Sequence, residues 1–99
     1  MRVVSHKKLK KFYETKGHED SRLALERWYR IALKAEWRGL SDIKVDFPAT
    51  DYAGNQHYVF NIKGNNYRLV VVIKFTMGYV FVRFAGTHKE YDRIDCSTI

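Results

Sequence analysis

Residues 57–85, HYVFNIKGNNYRLVVVIKFTMGYVFVRFA, decide the fold. Apolar residues recur there at every second position, and most are β-branched or aromatic, as a half-buried strand requires. The pattern predicts three strands, His57 to Lys63, Tyr67 to Phe75 and Tyr79 to Ala85. Between them, Gly64-Asn65-Asn66 tolerates a left-handed backbone and Met77-Gly78 suits a two-residue hairpin turn. With two residues in each turn, Tyr58, Phe60, Ile62, Leu69, Val71, Ile73, Phe75, Val80, Val82 and Phe84 share one face, the expected core face. A turn of odd length would send Arg83 into the core beside Val71 at heavy desolvation cost, so the pattern selects an even one.

The opposite face is expected to be open. It carries His57, Val59, Asn61 and Lys63, then Arg68, Val70, Val72 and Lys74, then Phe81, Arg83 and Ala85. In this register Arg68 lies near Asn61, and Val72 lies between His57 and Arg83. The following Gly86-Thr87-His88-Lys89-Glu90-Tyr91-Asp92 reads as a turn into a short terminal helix, which sets His88 and Tyr91 three residues apart on one side, by the Arg68 end of the sheet. A cationic face bearing histidine, tyrosine and lysine suits phosphodiester chemistry. Arginine stabilises the extra charge on a pentacoordinate phosphate, and a group titrating near neutrality moves protons. RNA supplies its own nucleophile: a base that removes the 2′-hydroxyl proton lets that oxygen attack the adjacent phosphate and leave a 2′,3′-cyclic phosphate, with no metal required.

Upstream, Arg2-Val3-Val4 reads as a short strand ended by Ser5, a helix N-cap. Leu9, Phe12 and Tyr13 give the first helix its apolar stripe, with Gly17 as a left-handed stop; Lys7, Lys8, Lys10 and Lys11 occupy the other face. Asp20 or Ser21 caps a second helix with a stripe of Leu25, Trp28, Tyr29, Ala32 and Ala35, and Gly39 closes it. From Leu40 to Gln56 the pattern suggests an ordered connection, with Val45, Phe47 and Tyr52 tucked onto the core and turns at Pro48, Asp51 and Gly54-Asn55. The fold class expected is α+β: two N-terminal helices packed on a small, mostly antiparallel twisted sheet, with a short C-terminal helix, in one domain over residues 1–99.

The 99 residues carry 18 Lys+Arg against 11 Asp+Glu, a formal +7 that points to a polyanionic partner. The excess is concentrated in residues 1–45, with 12 basic and 6 acidic residues; the rest hold 6 and 5. A single cysteine, Cys96, excludes an internal disulfide, and no apolar run is long enough to span a bilayer, so a cytoplasmic protein is expected, with no role at a membrane. The four histidines lack paired metal-ligand spacing, so neither a metal nor another cofactor is expected.

The chain resembles the HigB toxins, within the larger RelE-like group of bacterial toxin–antitoxin ribonucleases. The residues that carry the likeness are His57-Tyr58-Val59-Phe60-Asn61-Ile62, Gly64-Asn65 through Tyr67-Arg68-Leu69-Val70, and the closing Thr87-His88-Lys89-Glu90-Tyr91-Asp92. The resemblance implies an mRNA interferase that cleaves message on translating ribosomes. It also implies a HigA-like helix-turn-helix antitoxin as partner, with operator DNA reached only through that antitoxin. Carried over by position, Arg68 and Arg83 stabilise phosphate, His88 and Tyr91 are jointly the proton-transfer candidates, and His57 is an alternative base. Lys63, Asn61, Lys74 and Lys89 are candidate RNA contacts, and Lys7, Lys8, Lys10 and Lys11 a candidate contact to ribosomal RNA. The rival readings are a non-catalytic RNA-binding module with a basic sheet face, and a protein-interaction module that docks an acidic partner.

Overall fold

The computed structural model describes residues 1–99 as an α+β fold built on one mixed five-stranded sheet. In chain order the elements are β1 (Arg2–Val4), α1 (His6–Tyr13), a 3₁₀ turn (Glu19–Ser21), α2 (Arg22–Lys34), α3 (Leu40–Asp46), β2 (Asp51–Gly54), β3 (His57–Ile62), β4 (Tyr67–Lys74), β5 (Tyr79–Thr87) and α4 (His88–Tyr91). The strand order is β1-β5-β4-β3-β2; only the β1–β5 pair is parallel.

The helices bury Leu9, Tyr13, Leu25, Trp28 and Ala32 against Phe60, Ile62, Leu69, Val71, Ile73, Val80 and Val82 of the sheet. Each apolar stripe follows the helical period, and the alternating strand residues supply the facing layer. His6 Nε2 meets Glu26 Oε2 at 2.6 Å, and the Tyr13 hydroxyl donates to the same oxygen at 2.9 Å, tying α1 to α2 beneath the lysine face.

Several expectations are corrected. Ser5 and Ser21 stand at the N-cap positions of α1 and α2, but neither side chain makes a cap hydrogen bond. Gly17 does adopt a left-handed φ of 92°, yet α1 has already ended at Tyr13. Gly39 does not close α2, which ends at Lys34; it precedes α3, a helix the sequence pattern did not reveal because only Ile43 of its short span is buried. Within the Leu40–Gln56 segment, Val45 is 82% exposed and Tyr52 53% exposed, so neither is tucked in. Trp37 takes that space instead, its indole N–H donating to Asp46 at 2.9 Å and its ring stacked on Phe60.

The hairpins keep the expected even parity with different loop lengths. Lys63–Asn66 and Phe75–Gly78 each hold four residues, since Ile62 pairs with Tyr67 and Lys74 with Tyr79. The first register is as expected, with Asn61 opposite Arg68. The second is shifted, so Val72 lies between His57 and Phe81, not Arg83. Beyond it a bulge intervenes: Val71 pairs with Val82 but Val70 with Phe84, leaving Arg83 as the extra residue on β5. A bulge inverts the facing of everything after it. Ala85 therefore turns to the core and Phe84 to the opposite face, the reverse of simple alternation.

Candidate phosphodiester-cleavage site

The face opposite the helices is only partly open, because the chain after β5 folds back across it. The Asn55 side-chain amide donates to the Ser97 carbonyl at 3.1 Å, and Arg83 Nε donates to the Ile99 carbonyl at 3.2 Å. His57 lies beneath this segment and is 4% exposed. Its Nδ1 is 2.7 Å from the Asn55 carbonyl and its Nε2 2.8 Å from the Ile99 carbonyl, so neither ring nitrogen is free to take a proton from a substrate. Val59 and Val70 are likewise buried on this face.

The end of the sheet near Arg68 is different. α4 begins with a capping box: Glu90 N–H donates to Thr87 Oγ1 at 3.2 Å, and Thr87 N–H donates to Glu90 Oε1 at 2.8 Å. The backbone bond from Thr87 holds the Glu90 carboxyl below its usual range. This reciprocal cap fixes a helix of four residues that could not persist alone, and so fixes the direction of His88. Thr87 is opposite Tyr67 and Gly86 opposite Arg68, which brings α4 directly over the start of β4.

There, an Arg68 Nη2 hydrogen points at His88 Nε2 across 2.7 Å, and the guanidinium carbon lies 5.7 Å from the centre of the Tyr91 ring. An arginine can only donate, so Nε2 is the lone-pair nitrogen and Nδ1 carries the hydrogen. Nδ1 faces Asp92 Oδ2 at 3.6 Å, a contact that favours this tautomer. Arg68 Nη1 is 3.5 Å from Asn65 Oδ1, and no carboxylate is paired with the guanidinium. The Tyr91 hydroxyl is 3.5 Å from Cys96 Sγ; that bond, with burial, pushes its pKa up to about 12 despite the opposing charge of Arg68. Tyr91 is therefore a neutral phenol, not a base, at neutral pH.

The other sequence candidates are dispersed. Arg83 lies about 10 Å along β5 from the Gly86 position that faces Arg68, at roughly 3.3 Å per residue, and does not join the cluster. Lys63 Nζ pairs with Asp20 at 2.7 Å, and the same carboxylate accepts from the Tyr67 hydroxyl, whose pKa rises to about 12 chiefly through that bond. Lys74 donates to Gln56; Asn61, by contrast, stays beside the cluster as the cross-strand partner of Arg68 on β3, half-buried and bordering a groove shared with Arg27 and Phe47. Lys89 is exposed on α4; Lys7, Lys8, Lys10 and Lys11 are exposed on α1, with Lys8 donating to the Val82 carbonyl at 3.3 Å. No group of three or more His, Cys, Asp and Glu side chains converges to hold a metal ion, and no helix is long and apolar enough to cross a membrane. Asp92 and the Thr87/Glu90 cap were not singled out by the sequence analysis. Their spacings to His88 and to each other, four and three residues, were the available signals.

A family model described as HigB_toxin, RelE-like toxic component of a toxin-antitoxin system, matches residues 21–94. An mRNA interferase HigB of Escherichia coli O6:H1 is 31% identical over 74 residues, covering 73% of this chain and 72% of the relative. An mRNA interferase toxin HigB of E. coli K12 is 36% identical over 61 residues, covering 60% of this chain and 59% of the relative, and an mRNA interferase HigB of Shigella flexneri matches to the same extent.

Proposed function

The chain belongs to the HigB toxin family of RelE-like toxic components, and from that premise we propose that it is an endoribonuclease that cuts messenger RNA, the toxin half of a toxin–antitoxin pair. The observation that carries the reading is the 2.7 Å contact between Arg68 Nη2 and His88 Nε2, with Tyr91 beside the guanidinium. A scissile phosphate arriving here draws the unpaired guanidinium to its oxygens and so releases His88 Nε2. That nitrogen accepts the 2′-hydroxyl proton, and the 2′-oxygen attacks phosphorus. The bond from phosphorus to the 5′-oxygen breaks and leaves a 2′,3′-cyclic phosphate. The departing 5′-oxygen takes a proton, for which the Tyr91 phenol is the neighbouring donor. Arg68 balances the charge that accumulates on the phosphorane, an interaction stronger in the transition state than in the ground state. Asp92 offsets the positive charge on His88 once the ring is doubly protonated. Every proton in this scheme moves between the RNA and side chains of this chain.

Under this reading the substrate is message in the translating ribosome, the lysines of α1 meet ribosomal RNA, and a HigA-like helix-turn-helix antitoxin neutralises the toxin and carries it to operator DNA. The site of action is then the cytoplasm.

The test is induction in bacteria of the wild-type chain beside Arg68→Ala, with 5′ ends mapped on a translated reporter message, with and without a translation inhibitor. In-frame cuts that require both Arg68 and translation support the reading in full. Arg68-dependent cuts that persist under the inhibitor retain the nuclease and remove the ribosome from it. Intact message and normal growth with soluble wild-type protein overturn it in favour of RNA binding without cleavage.

A further inference from the structure

On the same sheet face as Arg68, but toward the other end of β4, lies a cavity of ≈ 440 Å³ that the cleavage scheme does not use. Val72 and Phe81, direct partners across β4 and β5, form its floor. Gln56, Lys74 and Arg83 stand at its rim, and Thr98 and Ile99 make one wall. No Asp or Glu side chain lines it. The bulge on β5 explains its character: as the unpaired extra residue, Arg83 is directed outward while Val82 before it stays in the core.

We propose that this cavity is a nucleotide subsite that holds a base and phosphate of the same RNA strand, one or two residues from the scissile bond. It deepens the ribonuclease reading and rests on it for the identity of the strand. An apolar floor containing an aromatic ring, with an amide and two cations above it and no acidic side chain, matches the three parts of a nucleotide: base stacking on Phe81, base-edge hydrogen bonding to Gln56, and phosphate contact with Arg83 and Lys74. The volume falls within the usual range for small-ligand sites. Val72 is four residues from Arg68 on one strand and one face, about 13 Å at the rise of a β-strand. A nucleotide bound at the cavity therefore cannot present its own phosphate to Arg68, while a neighbour on the same strand can. Arg83 is thereby a substrate-positioning cation rather than a second group at the reacting phosphate.

The probe is a fluorescently labelled 2′-O-methyl RNA hexamer, which lacks the attacking hydroxyl, so that binding is read by anisotropy whether or not the chain cuts RNA. A set of hexamers carries one abasic residue at each position in turn. Wild type is expected to lose about five- to 150-fold in affinity at one position, the range for a single stacked base. That penalty should vanish in Phe81→Ala and persist in Phe81→Trp, with thermal melting confirming that each variant is folded; Arg83→Ala should weaken every hexamer about equally, as a phosphate contact does. Should Phe81→Ala fail to fold, retention of the penalty in Phe81→Trp and its reduction in the smaller Phe81→Leu decide the matter. A penalty unchanged by loss of the ring, no position-dependent penalty, or no binding of the hexamer by folded wild type overturns the subsite. Absence of Arg68-dependent cleavage in bacteria, by contrast, would overturn the nuclease and leave this binding result standing.

Discussion

Gly86 is the position where a small change tests how the sheet presents the site. It is buried, sits opposite Arg68, and precedes the residue that caps α4. A Cβ built there meets the Phe84 ring at 2.4, 3.0 and 3.2 Å, whereas carbon atoms in ordinary contact stand about 3.5–4.0 Å apart. Gly86→Ala therefore forces the ring, or the strand beneath it, to move by about 1 Å. Overpacking of this kind costs about 1–3 kcal/mol, and for a chain of this size each kcal/mol lowers the melting temperature by roughly 4–8 °C. Because the obstacle is the tip of a half-buried side chain, the lower half of that range is expected. Removing the ring should abolish the cost: in a Phe84→Ala background, Gly86→Ala should be neutral or stabilising by up to about 1 kcal/mol, since alanine suits a strand better than glycine. The assay is the full double-mutant cycle by urea unfolding and thermal melting, with a coupling energy of about 1–2 kcal/mol expected between two residues in contact. Equal costs in both backgrounds would show that the Phe84 ring does not lie over Gly86 and refute the overpacking argument.

Three further outcomes follow from particular contacts. Burial pushes the Glu26 carboxyl up, but hydrogen bonds from His6 and Tyr13 outweigh it and the net pKa is lowered. A carboxyl lowered on folding stabilises the protein above its unfolded pKa, and that stability is lost as pH falls through the folded value. Acid unfolding of wild type below about pH 4.5 should accordingly be steeper than that of Glu26→Gln, which should also be less stable at pH 7 by about 1–3 kcal/mol; parallel pH–stability curves would refute this. Thr87→Ala removes one half of the capping box, worth about 0.5–2 kcal/mol locally, and should reduce cleavage far more than it lowers the melting temperature, because α4 carries His88 but buries no residue. Changing Lys7, Lys8, Lys10 and Lys11 together to Glu should weaken ribosome binding more at low salt than at high, as measured by co-sedimentation; unchanged binding at low salt would sink the assignment.

The alternation across residues 57–85 and the helical stripes of Leu9/Tyr13 and Leu25/Trp28/Ala32 were enough to establish the α+β class, the three central strands and the side on which the helices lie, because burial of a periodic apolar face leaves one arrangement per element. The parity of the second hairpin was legible for the same reason: an odd loop would have buried a guanidinium. Proximity of Arg68, His88 and Tyr91 was also within reach, since it depends on one hairpin register and one helical spacing. What a linear reading could not supply were the features set by contacts distant along the chain. The bulge at Arg83 is a feature of how β5 pairs with β4, and it alone decides that Phe84 faces outward and Ala85 inward. The burial of His57 depends on a terminal segment 42 residues away whose carbonyl happens to meet its ring, and nothing in the local alternation records that contact. Local periodicity determined which residues share a face. Only the tertiary structure decided which part of that face remains open to a substrate, because occlusion is made by whatever chain returns to cover it.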